Sequence, residues 1–246
     1  MIKVLVNGAH GRMGQLTCDA ISKQKNLTLV GKAGHHDDLS QLIISTEADV
    51  VVDFTVADSV FENTKTIIDA KAHPVIGTTG LPIEQVKVLQ AYAQTAGVGG
   101  ALVPNFSIGA MVLNKLASMA ATYFSTIEIV ETHHNQKRDA PSGTAVQTAH
   151  LLANARQNLP EMREEIETLI GARGANFENI HIHALRLPGV MAKQTVYFGG
   201  PGETINIEHQ VINREAYMSG VMLACELAPK LKELVFGLAD LLAYQD

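Results

Sequence analysis

The sequence predicts an α/β fold: a Rossmann-like, doubly wound parallel sheet, followed by a second, α+β domain built on a mixed sheet. Three observations carry that expectation. Apolar runs alternate with helix-spaced segments through residues 2–103, and parallel neighbours need such crossovers. A glycine turn stands between the first apolar run and the first helix, where nucleotide phosphates bind. After Pro104 the alternation stops and later strand-like runs follow one another directly.

Taken in order, residues 2–6 form a short apolar strand and residues 11–22 fit a helix. Residues 27–30 are apolar again. Residues 49–54 read D-V-V-V-D-F, a β-branched run of the kind buried on both sheet faces. Residues 58–70 carry Val60, Thr64, Ile67 and Ile68 at helical spacing. A strand over 74–76, a helix over 82–95 with Pro82 at its start, and a strand over 98–103 complete this part. A long helix is predicted over 107–124, with Ser107 as N-cap. A strand over 126–131 feeds a polar loop, and a helix follows from 143 to about 156. Strands are expected over 180–187, 194–198 and 204–212, the last two joined by Gly199-Gly200-Pro201-Gly202. The tail, 215–244, reads as helical, punctuated by Pro229 and Gly237.

Composition narrows the function. The chain has 246 residues, 46% of them hydrophobic, enough for one large or two modest domains with a real core. A net charge of -6 gives nucleic acid or an anionic membrane nothing to hold. Cys18 and Cys225 lie far apart inside helix-like patterns, so no disulfide framework is expected. With no targeting pattern and no long apolar run, the reading is a cytoplasmic protein.

The turn Gly8-Ala9-His10-Gly11-Arg12-Met13-Gly14 is spaced G-x-x-G-x-x-G. Its glycines permit a tight turn, close approach of phosphate to backbone N–H groups, and close helix–strand packing. At the end of the second strand an acid binds the adenosine ribose and favours NAD, whereas basic residues suit a 2′-phosphate. Here that position falls at Gly34, followed by His35 and His36. Lys32 or Arg12 can neutralise a 2′-phosphate, and Asp37 can contact a ribose, so the cofactor is NADPH, NADH or both. Gly77, Thr78 and Thr79 follow an apolar pair and suit a flat ring lying against backbone. Val103, Pro104, Asn105 and Phe106 end the fifth strand, where they can line the nicotinamide side and form a hinge.

The densest chemistry is E-T-H-H-N-Q-K-R-D-A-P-S-G-T-A, residues 131–145. His133 and His134 end a strand, Lys137 follows in a loop, and Ser142, Gly143 and Thr144 open a helix whose free N–H groups favour an anion such as a carboxylate. Histidine trades protons near neutral pH; lysine can donate a proton or pair with a second carboxylate. His181 and His183 alternate along a strand, but with no cysteine or carboxylate cluster beside them in sequence, no metal site is expected. Two rivals keep the glycine turn: another dinucleotide-dependent dehydrogenase, and a non-catalytic dinucleotide sensor. Neither needs the His-His-x-x-Lys arrangement.

The strings V-N-G-A-H-G-R-M-G, V-V-D-F-T, V-I-G-T-T-G, N-F-S-I-G and E-T-H-H-N-Q-K-R-D-A-P-S-G-T-A, in that order across residues 4–145, resemble the 4-hydroxy-tetrahydrodipicolinate reductase (dihydrodipicolinate reductase) family. The resemblance implies NAD(P)H-dependent reduction of 4-hydroxy-tetrahydrodipicolinate, with loss of water, in the diaminopimelate route to lysine. It implies a dinucleotide-binding domain over 1–104 and 216–246, and a substrate-binding domain over 105–215 that builds a homotetramer. His133 matches the family's proton donor/acceptor and Lys137 its second proton donor. His134, Gly143 and Thr144 match substrate contacts, and Arg214 matches an arginine on a substrate carboxylate. Gly8 to Gly14 match the pyrophosphate turn, while Gly77 to Thr79 and Val103 to Phe106 match the nicotinamide side. The chain departs from the family pattern at Gly34, where an acid is common. It departs again at Ala192-Lys193-Gln194, where the pattern is G-E-H, and at Pro188-Gly189, where a glycine–acid pair is usual.

Overall fold

The structure, a computed structural model, describes residues 1–159 and 166–245. The chain divides into two compact units: Met1–Ile108 with Arg214–Asp246, and Gly109–Asn213.

The first unit opens β1 (Ile2–Asn7), α1 (Arg12–Ile21), β2 (Leu27–Ala33), α2 (Leu39–Thr46), β3 (Val50–Asp53), α3 (Ala57–Asp69), β4 (His73–Ile76), α4 (Ile83–Ala96) and β5 (Gly100–Leu102). Residues 39–46, given no element above, are a helix capped by Asp38, whose side chain accepts from the Gln41 N–H. Helical spacing decides what is buried. α1 turns Gly14, Thr17, Cys18 and Ile21 inward, and α3 turns Val60, Thr64, Ile67 and Ile68. The α3 residues Val60, Ile67 and Ile68 close on Leu5, Val51 and Ile76 of the sheet to form one core. Each fully buried Leu or Ile contributes about 1.5–3 kcal/mol.

The second unit contains α5 (Ile108–Ala121), β6 (Thr126–His133), α6 (Gly143–Ala155), β7 (Ala175–Phe177), β8 (Ile180–Arg186), β9 (Ala192–Gly200) and β10 (Glu203–Val211). Its sheet order is β10-β9-β6-β8-β7. β6 and β8 are parallel, and the other pairs are antiparallel, so the sheet is mixed as expected. Residues at alternate positions share a face. Ile127, Ile129, Ile182, Val196 and Phe198 therefore face α5 and α6 and make this unit's core.

The tail returns to the first unit with α7 (Met218–Leu227), β11 (Leu234–Phe236) and α8 (Leu238–Leu242). An all-helical reading of 215–244 is thereby corrected. β11 pairs in parallel with β5 and completes the order β11-β5-β4-β3-β1-β2, every pair parallel. β1 lies between β2 and β3, so consecutive crossovers run to opposite sides of it. Ligands of open α/β sheets bind at the carboxyl end of such a strand, which here is Asn7, followed by the Gly8 turn. Among the described residues no helix is long and apolar enough to cross a membrane.

Candidate active site

On the first unit, the turn after β1 is shaped by backbone. Gly8 has φ +76° and touches Phe54; a Cβ there would stand 2.4 Å from the Phe54 carbonyl oxygen. The N–H groups of Gly8 and Ala9 both donate to the Ala33 carbonyl, at 2.9 and 3.0 Å, tying the turn to the end of β2. Gly11 caps α1 with no side-chain bond, leaving the first-turn N–H groups to a ligand.

A cavity of about 510 Å³ opens there, lined by Gly11, Arg12, Met13, Phe54 to Ala57, Gly77 to Thr79, and Arg214. Helix-start amides and two guanidinium groups suit a pyrophosphate, and the Gly77–Thr79 backbone suits a flat ring. A Cβ on Gly77 would stand 2.1 Å from the Phe54 ring, which packs edge-on against Phe106 at 5.9 Å. The residues present therefore fit a nicotinamide dinucleotide. Ala9, Gly14, Val103 and Phe106 are buried, and none of them lines the cavity. Asn105 accepts from the Ser107 N–H, and Pro104 is exposed. At the far side of the turn, His10 lies against Gly34, whose N–H donates to Asp37 at 2.8 Å; His35 is exposed and packs on His36.

Arg214 belongs to this cavity and to the first unit, two residues before the boundary expected from sequence. That corrects its placement in the substrate domain. Asp53 was missed as a site residue. It is fully buried at the end of β3 and accepts from Asn7, Asn63, the Thr55 N–H, the Thr55 hydroxyl and the Thr78 hydroxyl. An acid ending an apolar run was the available signal.

On the second unit, β6 extends to His133, two residues beyond its predicted end. Its period of two puts Glu131 and His133 on one face. His133 Nδ1 lies 2.5 Å from Glu131. Arg186, the register partner of His133 on β8, grips the same carboxylate through both terminal nitrogens, at 2.8 and 3.0 Å. The Ser142 N–H donates to it as well, at 3.1 Å. One buried carboxylate thus joins the end of β6 to the start of α6. Sequence reasoning missed both Glu131 and Arg186 as functional candidates.

Burial pushes the Glu131 carboxyl up, but hydrogen bonds from His133 and Arg186 outweigh it and hold it below the usual range. A group depressed in the fold stabilises it above the unfolded value, ordinarily 4.5, and that contribution is lost as pH falls through the folded value. The melting temperature is expected to drop below about pH 4.5, and to drop less steeply in Glu131→Gln. Melts from pH 7 to pH 3 check this; parallel curves for the two proteins would refute it.

Lys137 pairs with Asp139 at 2.8 Å, and the Lys137 hydrogen bond holds the Asp139 carboxyl low. The buried His134 Nδ1 has no hydrogen-bond partner among the described residues. Ser142 is buried, and its hydroxyl caps α6 by accepting from the Ala145 N–H. In accepting, the hydroxyl keeps its own proton to donate. Gly143 is exposed, and nothing lies within 4 Å of the place of a Cβ, so the N–H groups of Gly143 and Thr144 are open to an anion. His181 and His183 share a sheet face and bond to the Arg173 carbonyl and to Glu128. Among the described residues no group of three or more His, Cys, Asp or Glu could hold a metal.

Two family models match the chain: dihydrodipicolinate reductase, N-terminus, over residues 2–106, and dihydrodipicolinate reductase, C-terminus, over residues 109–242. The 4-hydroxy-tetrahydrodipicolinate reductase of Legionella pneumophila (strain Paris) is 46% identical over 98% of this chain and 99% of its own. That of Coxiella burnetii (strain RSA 493 / Nine Mile phase I) is 43% identical over the same shares. The dipicolinate-bound dihydrodipicolinate reductase from Paenisporosarcina sp. TG-14 superposes with a TM-score of 0.89 at 38% identity, covering 98% of this chain and 99% of that one.

Proposed function

The chain belongs to the dihydrodipicolinate reductase family, and from that premise we infer which of its side chains carry the reaction. It is an oxidoreductase that uses NADH or NADPH to convert 4-hydroxy-tetrahydrodipicolinate to tetrahydrodipicolinate in lysine and diaminopimelate biosynthesis. A carbon–oxygen bond is exchanged for a carbon–hydrogen bond, so one proton must enter and water must leave. The bound dinucleotide supplies the hydride.

The first unit holds the dinucleotide. The α1 start, Arg12 and Arg214 take its pyrophosphate, and Gly77, Thr78 and Thr79 receive the nicotinamide. The second unit holds the dicarboxylate substrate. His133 and Lys137 deliver protons, His134 contacts the substrate, and the open N–H groups of Gly143 and Thr144 clamp one carboxylate. Asp139 already places a carboxylate on Lys137, so a substrate carboxylate can take that position. The observation that carries this reading is the Glu131 carboxylate, which holds His133 and the start of α6 together. The chain works in the cytoplasm as a homotetramer built through the second unit. Leu185 and Tyr197, 39% and 41% exposed on the sheet face away from the core, support that contact. Light scattering reads the mass, and a monomer would refute the tetramer.

The assignment is tested by following NAD(P)H oxidation on substrate generated in situ from aspartate semialdehyde and pyruvate by the preceding synthase. Turnover is expected; its absence at saturating cofactor would sink the reading. Cofactor preference rests on Asp37. Its Oδ2 lies 3.6 Å from where a Cβ on Gly34 would stand, within reach of a glutamate rooted there. Asp37 thus replaces the missing acid, favours the free ribose of NADH and repels a 2′-phosphate. Asp37→Ala is expected to shift the NADH:NADPH ratio of kcat/KM toward NADPH by about tenfold, the loss of one charge-assisted hydrogen bond. Fluorescence titration of each cofactor should move alike; an unchanged ratio would remove Asp37 from the site.

A further inference from the structure

We propose that Glu131, locked by Arg186, is the positioning residue of the proton-donating centre, setting both the tautomer of His133 and the placement of the loop that carries Lys137. The inference rests on His133 being a proton donor.

Glu131 continues the row Ile127, Ile129, which is apolar and buried, yet it is a charged side chain with no exposed surface. A buried carboxylate is costly unless its charge is met. Here Arg186 meets it with two parallel hydrogen bonds, and Arg186 also donates to the carbonyls of Leu185 and Asp139. The Asp139 carbonyl belongs to the loop in which Lys137 pairs with the Asp139 carboxylate. Each oxygen of Glu131 is therefore used twice: Oε2 by His133 and Arg186, Oε1 by Arg186 and the Ser142 N–H.

This arrangement decides the histidine's chemistry. An ionised carboxylate only accepts, so His133 carries a proton on Nδ1 and presents Nε2 outward. A ring that takes up a second proton holds it on Nε2, the atom free to give it away. After transfer, the Nδ1–H bond still fixes the ring plane. Without Glu131 the imidazole can turn about its side-chain torsions and exchange tautomers, and a misplaced donor costs rate. Arg186 acts one step further out: it keeps the carboxylate ionised and in plane, and holds the loop backbone through Asp139.

Glu131→Gln keeps the size and the carbonyl acceptor but removes the charge. It is expected to lower kcat about thirtyfold, within the range of second-partner changes, while KM stays within about threefold. Nitrogen-15 NMR of the wild-type protein should show the Nδ1-protonated His133 and a far-downfield ring proton, identified by their absence in His133→Gln. The same ring proton should be missing in Glu131→Gln. If that variant does not fold, the wild-type spectrum and Arg186→Lys decide: the Lys variant should keep a shared proton but lose about fivefold in kcat through the freed loop. An Nε2-protonated His133 in the wild type, or wild-type kcat in a folded Glu131→Gln, would overturn the proposal. Full activity in His133→Gln would instead overturn the reading on which it rests.

Discussion

His133→Gln and Lys137→Ala are each expected to lower kcat by about a hundredfold to ten-thousandfold, the usual cost of losing a positioned proton donor. The double variant should fall much less than the product of the two, because both serve one proton-transfer event. Lys137 lies in a loop, and a glutamine at 133, the last residue of β6, can still offer the buried Glu131 an amide N–H. Melting temperatures should therefore stay within a few degrees of wild type. That separation of activity from stability distinguishes a chemical role from a structural one. Steady-state assays with substrate made in situ give kcat and KM together. Lys137→Ala turning over within about twofold of wild type would remove the lysine from the proton path.

Asp53→Ala is expected to destabilise the first unit by about 2–4 kcal/mol, the scale for removing a buried charged acceptor and orphaning its donors. Asp53 accepts from Asn7 at 2.8 Å, Asn63 at 3.0 Å, the Thr55 hydroxyl at 2.7 Å and the Thr78 hydroxyl at 2.7 Å. These groups come from β1, α3, the loop after β3 and the loop after β4. The carboxylate thus sets the spacing of three consecutive strand ends at the cofactor cavity. Asp53→Asn should also be damaging, because its new N–H₂ group would face the amides of Asn7 and Asn63. Cofactor affinity should weaken in both variants, since Thr78 loses its anchor. Denaturant melts and cofactor titrations check the two halves of the claim; a stability loss under about 1 kcal/mol would contradict the first.

What the sequence reveals follows the length and period of each segment. The valine run of β3 and the spaced apolar residues of α3 announce themselves because burial on both sheet faces and on one helix face leaves different patterns. β7 and β11 have three residues each, too few to show a period, and β11 hides between Pro229 and Gly237. α2 buries only Ile43, so its helical face is faint. At the site, His133 and Lys137 stand out because a dense polar string is visible locally. Arg186 does not, because its partner lies 55 positions earlier and the two meet only through the β6–β8 register. Glu131 was legible in principle: E-x-H on a strand puts both side chains on one face. Arg214 was legible as a functional arginine but not as a neighbour of the glycine turn, which depends on how the tail returns.

That return has a consequence for how the protein is made. β11 and α7 belong to the first unit but follow the second in the chain. As the chain leaves the ribosome, β5 remains an open edge, and α1 lacks Met218, which contacts Thr17 in the finished fold. Such an edge invites pairing with another chain. The second unit, continuous from Gly109 to Asn213, can close on itself while the first still waits for its last strand. Synthesis therefore finishes the inserted unit before the one that contains the N-terminus, and a ribosome that stalls after residue 213 leaves a nucleotide-binding sheet with its edge uncovered.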